Sequence, residues 1–440
     1  MGAAIPDLPI LEAEESMLSR KFGPELANYF AGSPLNRVGF LRGDHVFLRS
    51  AFSHPSTRFL LMNELAPLVD DSQRRLAYVN YEDVKSYTGH DPFEKPEEQI
   101  IKDFNSEEVR PLILLLGLDE GNKFRTPEND PAFEYKDYKG RPYFAVDVSP
   151  RGSGVEAANK VIEAVKAKGY SFFANQRNMG LAAGEGEFSH PQRTSTTRCP
   201  TGLRQCLANN ASAAVYAQAR SLFDWNFRNP FCAQCGQKTL SVNAGTKRTC
   251  PPTDTAGGVL KERGPCASRH GVSNICFPRT DPTIIVAVVS ADGSKILLGR
   301  NKRFPPYWFS TLAGFLEPGE SIEEAVRREV WEESGVKLSR VVIHSSQPWP
   351  FPASLMIGAI AQAIPGDGEQ IHLGHDPELV DAKWFPVEEV REALTSGVSG
   401  LGEPAPPGYK EGGLRLPPQT AIANRLLTAV VDGFIGTAKI

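Results

Sequence analysis

The sequence has no surplus of either charge, no long apolar run and few cysteines. Of 440 residues, 48 are Lys or Arg and 52 are Asp or Glu, a formal net charge of -4. That balance excludes a chain that holds nucleic acid or an anionic membrane through a global positive field. A small anionic substrate would need a local cation, and a bound metal ion could supply one. The longest apolar run, Leu112 to Leu118, is far short of the ~20 residues that span a bilayer, so no membrane is expected. Met1 to Ser16 is too acidic and too interrupted by Pro for a signal or transit peptide. Pro6 stands where myristoylation after Gly2 needs Ser or Thr. There are seven cysteines, an odd count, and Cys232, Cys235, Cys250, Cys266 and Cys276 crowd one short stretch. Without a secretion signal, such crowding favours a metal site over disulfides.

What remains is ordinary globular composition, with 41% hydrophobic and 23% charged residues. At roughly 100–200 residues per domain, two or three domains are expected. Val38–Arg42, Phe59–Asn63, Leu112–Leu118 and Tyr143–Val148 read as strands, and residues 152–180 leave room for one helix. Gly184 to Thr201 reads as a loop, residues 203–228 as a long helix, and Lys247 to Pro265 as a loop-like insertion. After Pro282 two apolar strands, Thr283–Ser290 and Lys295–Arg300, are joined by the hairpin signal Ala291-Asp292-Gly293. A helix from Ser321 to Ser334 and a final helix from Thr420 to Asp432 follow. The expected division is 1–202 as an N-terminal α+β domain, 203–280 as a helix with a cysteine-rich module, and 281–440 as an α/β domain with a C-terminal helix.

The segment Gly314 to Val336 carries the chemistry. Ser321 and Glu324 form a capping box that sets the helix start, and Gly335 marks its end. At about 100° per residue, Ile322, Ala325, Val326 and Val330 form one apolar stripe. Glu329 and Glu333 fall inside that stripe and Glu332 sits at its edge. Like charges at this spacing repel, and a core-facing carboxylate must be paired or bound to metal. Several hard oxygens converging on one point suit Mg²⁺ or Mn²⁺.

The same segment resembles the box of the Nudix hydrolases. Its fixed positions are Gly314, Glu320, Arg328, Glu329, Val330, Glu332, Glu333, Gly335 and Val336. The resemblance implies an α/β/α sandwich catalytic domain and hydrolysis of a nucleoside diphosphate linked to another moiety. Downstream, Ser346 to Ser354 reads SQPWPFPAS. Three prolines with Trp349 and Phe351 cannot make a central strand. They read as a rigid aromatic wall suited to stacking flat rings, or as simple packing. This string resembles the signature of the NADH pyrophosphatases within that family. Phe30–Arg42, Ala219–Gly236 and Phe277–Val288 resemble the same family's N-terminal domain, zinc-ribbon entry and catalytic-sheet entry. The implied architecture is a Nudix sandwich preceded by a zinc ribbon and an N-terminal α+β, Nudix-like domain.

The resemblance implies cleavage of NAD(H) to AMP and nicotinamide mononucleotide, and removal of NAD caps from RNA. It places Phe277, Ala313, Phe315, Ser354, Met356 and Ala423 at the substrate. Metal ligands would be Glu329, Glu333, Glu378 and the Ala313 carbonyl, for about two or three Mg²⁺ or Mn²⁺ ions. Glu333, Glu332 and Glu329 are the candidate catalytic groups, with the base left open between Glu333 and Glu332. Glu320 and Arg328 are expected to brace the box. A homodimer is implied as well.

Cys232 and Cys235, followed by Gly236, form a zinc knuckle. Cys250 fits a third ligand and Cys266 a fourth, with Cys276 and His270 as rivals. Cys199 and Cys206 lack ligand spacing. Ala438-Lys439-Ile440 resembles the Ser-Lys-Leu class of addresses read by a peroxisomal import receptor. Peroxisome or cytoplasm is the expected location. The alternatives are a hydrolase of ADP-ribose or another nucleotide conjugate, an RNA-binding or decapping factor, and a catalytically dead scaffold. The SQPWPFPAS string, the balanced charge and the intact box glutamates argue against them in turn.

Overall fold

The computed structural model describes residues 28–70, 75–120, 132–173, 210–270, 274–318, 320–375, 378–401 and 403–433. Gly319, Cys199, Cys206, the Gly184–Thr201 loop, residues 203–209 and Ala438 to Ile440 lie outside them. The chain forms two compact units, Ser33–Arg279 and Thr280–Ile440, and the described residues 28–32 belong to the second. No described helix is long and apolar enough to cross a membrane.

The first unit is built on a mixed sheet. Its described strands are β1 (Arg58–Asn63), β2 (Ala66–Asp70), β3 (Arg75–Leu76), β4 (Ile113–Asp119), β5 (Phe133–Tyr135), β6 (Tyr138–Asp147) and β7 (Tyr170–Phe172). The order is β3-β2-β1-β6-β4, with β5 on β6 and β7 on β2. Helices α1 (His45–Ser53), α2 (Tyr81–Thr88), α3 (Glu97–Lys102) and α4 (Val155–Ala167) accompany it. Phe47, Phe52, Phe59, Leu115, Phe144 and Val161 share one core. The long helix α5 (Asn210–Arg228) follows, and Gln218 on it donates to the Leu116 carbonyl of β4 at 3.0 Å. Every residue of β4 is buried, which explains its continuous apolar run.

Past α5 come two short hairpins, β8 (Leu240–Val242) with β9 (Lys247–Thr249), and β10 (Thr253–Asp254) with β11 (Lys261–Glu262). The stretch expected to be a loop from Lys247 to Pro265 is therefore partly paired strand. Gly245 turns the first hairpin with φ +84°, where a Cβ would meet the Ile113 carbonyl oxygen at 2.9 Å. Only glycine lets this turn approach β4 so closely. A second expectation is corrected as well. Val38–Arg42 is not a strand but a 3-10 turn over Gly39–Leu41. The Asn36 side chain accepts the Val38 N–H at 3.1 Å, and this local bond diverts the backbone from a ladder.

The second unit has β12 (Asp281–Val289), β13 (Lys295–Asn301), β14 (Leu312–Phe315), β15 (Leu338–Trp349), β16 (Ser354–Ala363) and β17 (Leu379–Pro386). They run in the order β15-β16-β12-β13-β17, with β14 on β12. Alternation along β12 sends Ile284, Val286 and Val288 into a core with Ala325, Val326 and Val330 of α6 (Ile322–Ser334). It sends Ile285 and Ala287 to the other face, against α7 (Val387–Ser396) and α8 (Ile422–Val431). The result is the expected α/β/α sandwich.

The two units share one topology. The path β4-β6-β1-β2-β7 matches β15-β16-β12-β13-β17 in chain order, and each has a single parallel pair, β1 with β6 and β12 with β16. Val79 bridges Phe59 where β14 pairs with β12. Each is followed by a helix with a capping box, Asn80 with Asp83 and Ser321 with Glu324. The first unit is thus a Nudix-like sheet whose following helix, Tyr81–Thr88, lacks the box residues.

Candidate functional site: a braced carboxylate helix and a four-thiol cluster

Helix α6 starts where its capping box places it. Ser321 N–H donates to Glu324 at 2.7 Å and Glu324 N–H to Ser321 Oγ at 3.3 Å. It ends at Gly335, which is left-handed at φ 73°. The apolar stripe buries Ala325, Val326 and Val330 completely, and Glu333 is 5% exposed beside them. The Glu329 side chain is 14% exposed and that of Glu332 36%, as their angular positions require.

One guanidinium organises the cluster. Arg328 donates to both oxygens of Glu320, at 2.6 and 2.9 Å. Its Nη1 donates to Glu329 and to Glu332, each at 2.9 Å. Nη2 also donates to the Phe315 carbonyl at 2.9 Å, tying the helix to the end of β14. The Arg328 bonds, with the Glu317 N–H, hold the Glu320 carboxyl down at about 2. The stabilisation from this contact is therefore present above the ordinary glutamate pKa of ~4.3 and is lost only as pH falls through about 2. Glu329 moves the other way. Burial pushes its carboxyl up, Arg328 pulls it down, and the charges of Glu332 and Glu378 push it up again, for a net rise.

The pressure on Glu329 is that of crowded negative charge in a half-buried place, which a cation relieves. A Cβ on Gly314 would fall within the Glu329 carboxylate, so this glycine forms the cradle in which that group lies. Donors of this type, carboxylates and a strand carbonyl, fit a hard divalent ion. Glu378 is exposed at the entrance to β17, and its charge reaches Glu329. Ala313 lies in β14 opposite Ile285.

Of the positions expected at the substrate, Phe315, Ser354 and Met356 lie on the α8 face of the sheet. Phe315 and Met356 both pair with Thr283, one through β14 and one through β16. Cross-strand partners share a face, so the three side chains form one row. Phe315 is 44% exposed and Thr283 is buried. Ser354 is buried at the start of β16, and Ala423 is the second residue of α8. An N–H in that first helical turn has no intrahelical acceptor. Phe277 belongs to the first unit, where it is exposed with the Lys247 ammonium 5.8 Å from its ring.

The SQPWPFPAS segment does something the sequence reading missed. Ser346 to Trp349 extend β15, which is an edge strand and so tolerates Pro348. Gln347 is buried, and its amide donates to the Tyr29 and Thr420 carbonyls at 3.0 and 2.9 Å. Its oxygen accepts the Ile422 N–H at 2.9 Å. One side chain therefore fixes the start of α8, beside Ala423. Phe351 is 1% exposed and packs edge-on against Phe30 and Trp349, so that ring is packing and not an open stacking wall. A buried glutamine has no periodic signature, and only the three-way bond reveals its role.

In the first unit the Sγ atoms of Cys232, Cys235, Cys250 and Cys266 all lie within 4.8 Å of one another. The separations of 3.7 Å between Cys232 and Cys266 and 3.5 Å between Cys235 and Cys250 approach the ~3.8 Å edge of a tetrahedron with ~2.3 Å Zn–S bonds. Gly236, at φ 72°, closes the knuckle, and its N–H donates to the Cys232 carbonyl at 2.8 Å. Burial pushes the Cys232 thiol up, but Ser268 and the amides of Cys235 and Gln234 outweigh it and bring it to about 6. Burial pushes Cys250 up to about 12, while Ser268 draws Cys266 down. Arg269 donates toward Cys250 Sγ at 3.5 Å and to its carbonyl at 2.9 Å. Such outer bonds orient thiolate ligands. Cys276 donates instead to the Ser268 carbonyl, and His270 is not part of the cluster.

Known families match both regions. Residues 279–403 match the NUDIX domain and residues 228–257 the NADH pyrophosphatase zinc ribbon domain. The chain is 33% identical to a "NAD-capped RNA hydrolase" of Schizosaccharomyces pombe over 92% of each chain. It is 34% identical to the human "NAD-capped RNA hydrolase NUDT12", covering 92% of this chain and 73% of that one. It is 36% identical to the mouse "NAD(P)H pyrophosphatase NUDT13, mitochondrial" over 52% of this chain and 58% of that one. With the box residues assembled on α6 and the four thiols gathered in the other unit, the chain belongs to the Nudix hydrolases that carry the NADH pyrophosphatase zinc ribbon.

Proposed function

We propose that this protein hydrolyses the pyrophosphate of NAD(H), releasing AMP and NMN(H), and removes NAD caps from RNA by the same cleavage. One observation carries the reading. The braced carboxylate helix is intact in a chain similar over 92% of its length to an NAD-capped RNA hydrolase. The SQPWPFPAS segment favours a dinucleotide over ADP-ribose.

Glu329, Glu333, Glu378 and the Ala313 carbonyl are the ligands assigned to about two or three Mg²⁺ or Mn²⁺ ions. When bound, such ions supply charge neutralisation at the pyrophosphate and a more acidic water. The chain's own part is positional. Arg328 keeps Glu329 and Glu332 at one place, and Gly314 leaves room for Glu329. Glu332 and Glu333 are the two groups assigned to take the proton of the attacking water. Phe315 and Met356, in the row through Thr283, offer the apolar side for a flat ring, and the start of α8 offers backbone at Ala423.

The test is incubation with NADH, NAD⁺, ADP-ribose and NAD-capped RNA in Mg²⁺, with products resolved. NADH should yield AMP and NMNH. Glu333→Gln should cut turnover by about two orders of magnitude or more without lowering Tm. A folded variant with near-normal turnover in saturating Mg²⁺ would remove the metal-site assignment.

The zinc ligands belong to the same proposal, as Cys232, Cys235, Cys250 and Cys266. Four thiolates fill a tetrahedral site and leave no open position, so this zinc is structural. Purified protein should hold about one zinc per chain. Cys266→Ser should lose zinc and melt earlier, while Cys276→Ser keeps both zinc and Tm. A Cys266→Ser protein with full zinc would shift the fourth ligand elsewhere.

We also propose a homodimer, since two-fold pairing is the commonest arrangement of soluble oligomers and the family resemblance implies one. Light scattering at micromolar concentration should read twice the chain mass. A fully active monomer would end that proposal.

A further inference from the structure

Trp331 stands apart on the catalytic helix. It is 41% exposed, on the side away from the apolar stripe. Its ring is not simply open to solvent. It stacks on His375 with centroids 4.2 Å apart and planes 26° from parallel. His375 in turn meets His372 edge-on at 4.8 Å. The His372 N–H donates to the Ser334 carbonyl in the last turn of α6 at 2.8 Å. Gly335 makes room for this, since a Cβ there would lie 2.8 Å from His372 Cβ. The stretch from His372 to His375 is therefore fastened to the C-terminal end of the helix that carries Glu329, Glu332 and Glu333.

Glu378 is three residues further on. Three residues reach at most ~10 Å, so where His375 is held limits where the Glu378 carboxylate can go. That carboxylate is assigned as a metal ligand, yet Glu378 is exposed and stands one residue before β17, not in the middle of a helix or strand. The other carboxylates assigned as ligands, Glu329 and Glu333, sit on α6 itself. Of the assigned ligands' carboxylates, Glu378 alone must be brought to the helix. Its charge already reaches Glu329. The backbone bond at His372 anchors one point, and a single point allows the following chain to pivot. The ring stack adds a second, broad contact of fixed orientation.

We propose that the Trp331–His375 stack is a positioning contact that holds Glu378 at the carboxylate centre. It rests on the reading of Glu378 as a metal ligand. Trp331 and His375 touch neither metal nor substrate in this account and act through Glu378. Losing the stack enlarges the set of conformations from which Glu378 must be drawn. The cost appears as weaker metal binding before it appears in the chemical step.

The test measures Mn²⁺ binding directly, from the electron paramagnetic resonance signal of free Mn²⁺ over the zinc-loaded full-length protein. Tm and zinc content are followed in parallel. Trp331→Ala and His375→Ala should each weaken Mn²⁺ binding by about three- to tenfold. The Mg²⁺ concentration for half-maximal NADH hydrolysis should rise by a similar factor, with little change in rate at saturating Mg²⁺. Trp331→Phe should restore most of the affinity, since a flat ring can still stack. In a Glu378→Gln background, Trp331→Ala should have no further effect, which a merely structural role would not produce. Both rings are exposed, so truncation hollows no core, and His375→Ala gives the answer even if Trp331→Ala folds poorly. If Glu378→Gln weakens Mn²⁺ binding but neither ring variant does, the ligand reading stands and the positioning proposal is overturned. If Glu378→Gln itself changes nothing, the ligand reading falls and the proposal falls with it.

Discussion

The catalytic unit depends on one guanidinium among carboxylates. Arg328 is shared by Glu320, Glu329 and Glu332, and a fourth acceptor, the Phe315 carbonyl, ties the helix to the end of β14. Without it, three carboxylates near one helix face would repel one another and splay. A planar fork with several donors suits this task, and a single ammonium could not reach so many acceptors at fixed angles. The bracing also leaves the cluster with a surplus of negative charge. That surplus is the physical basis of the proposed cation binding, and the rise in Glu329 is its local sign.

Around that interaction the sheet separates two tasks. Alternation along β12 and β14 turns Gly314 toward α6 and turns Phe315 and Thr283 toward α8. The acid cluster and the row proposed to bind a ring therefore meet at neighbouring residues of one strand, from opposite faces. Gln347 fixes the α8 side as Arg328 fixes the α6 side. The first unit repeats the same strand path, and its following helix, Tyr81–Thr88, lacks the box residues. Its zinc-ribbon hairpin is seated on β4 through Gly245, so scaffold and metal module form one unit with no acid cluster of the box type among its described residues.

Much of this was legible in the residues. The 3.6-residue period placed Glu329 and Glu333 in the apolar stripe, and Glu333 is indeed buried there. The capping box and Gly335 gave the ends of α6 because both act through bonds within four residues. The cysteine spacing pointed to four thiols that the structure brings together. What was not legible depends on distance along the chain. Gln347 is joined to Tyr29 across hundreds of residues, and Trp331 to His375 across a whole sheet crossing. Val38–Arg42 misled because an apolar run reads as strand, while one Asn36 side-chain bond redirected the backbone. Phe351 was open between a stacking wall and simple packing, because an aromatic next to prolines serves either, and its burial decides for packing.

The central claim is that the fork of Arg328, and not merely its charge, assembles the metal-dependent centre. Arg328→Lys tests it most directly, with NADH hydrolysis and Mn²⁺ binding measured on the same preparation. The account predicts that hydrolysis falls by at least about tenfold and that Mn²⁺ binds more weakly, while Tm stays close to that of the parent protein. A lysine variant that hydrolyses NADH and binds Mn²⁺ as the parent does would contradict it.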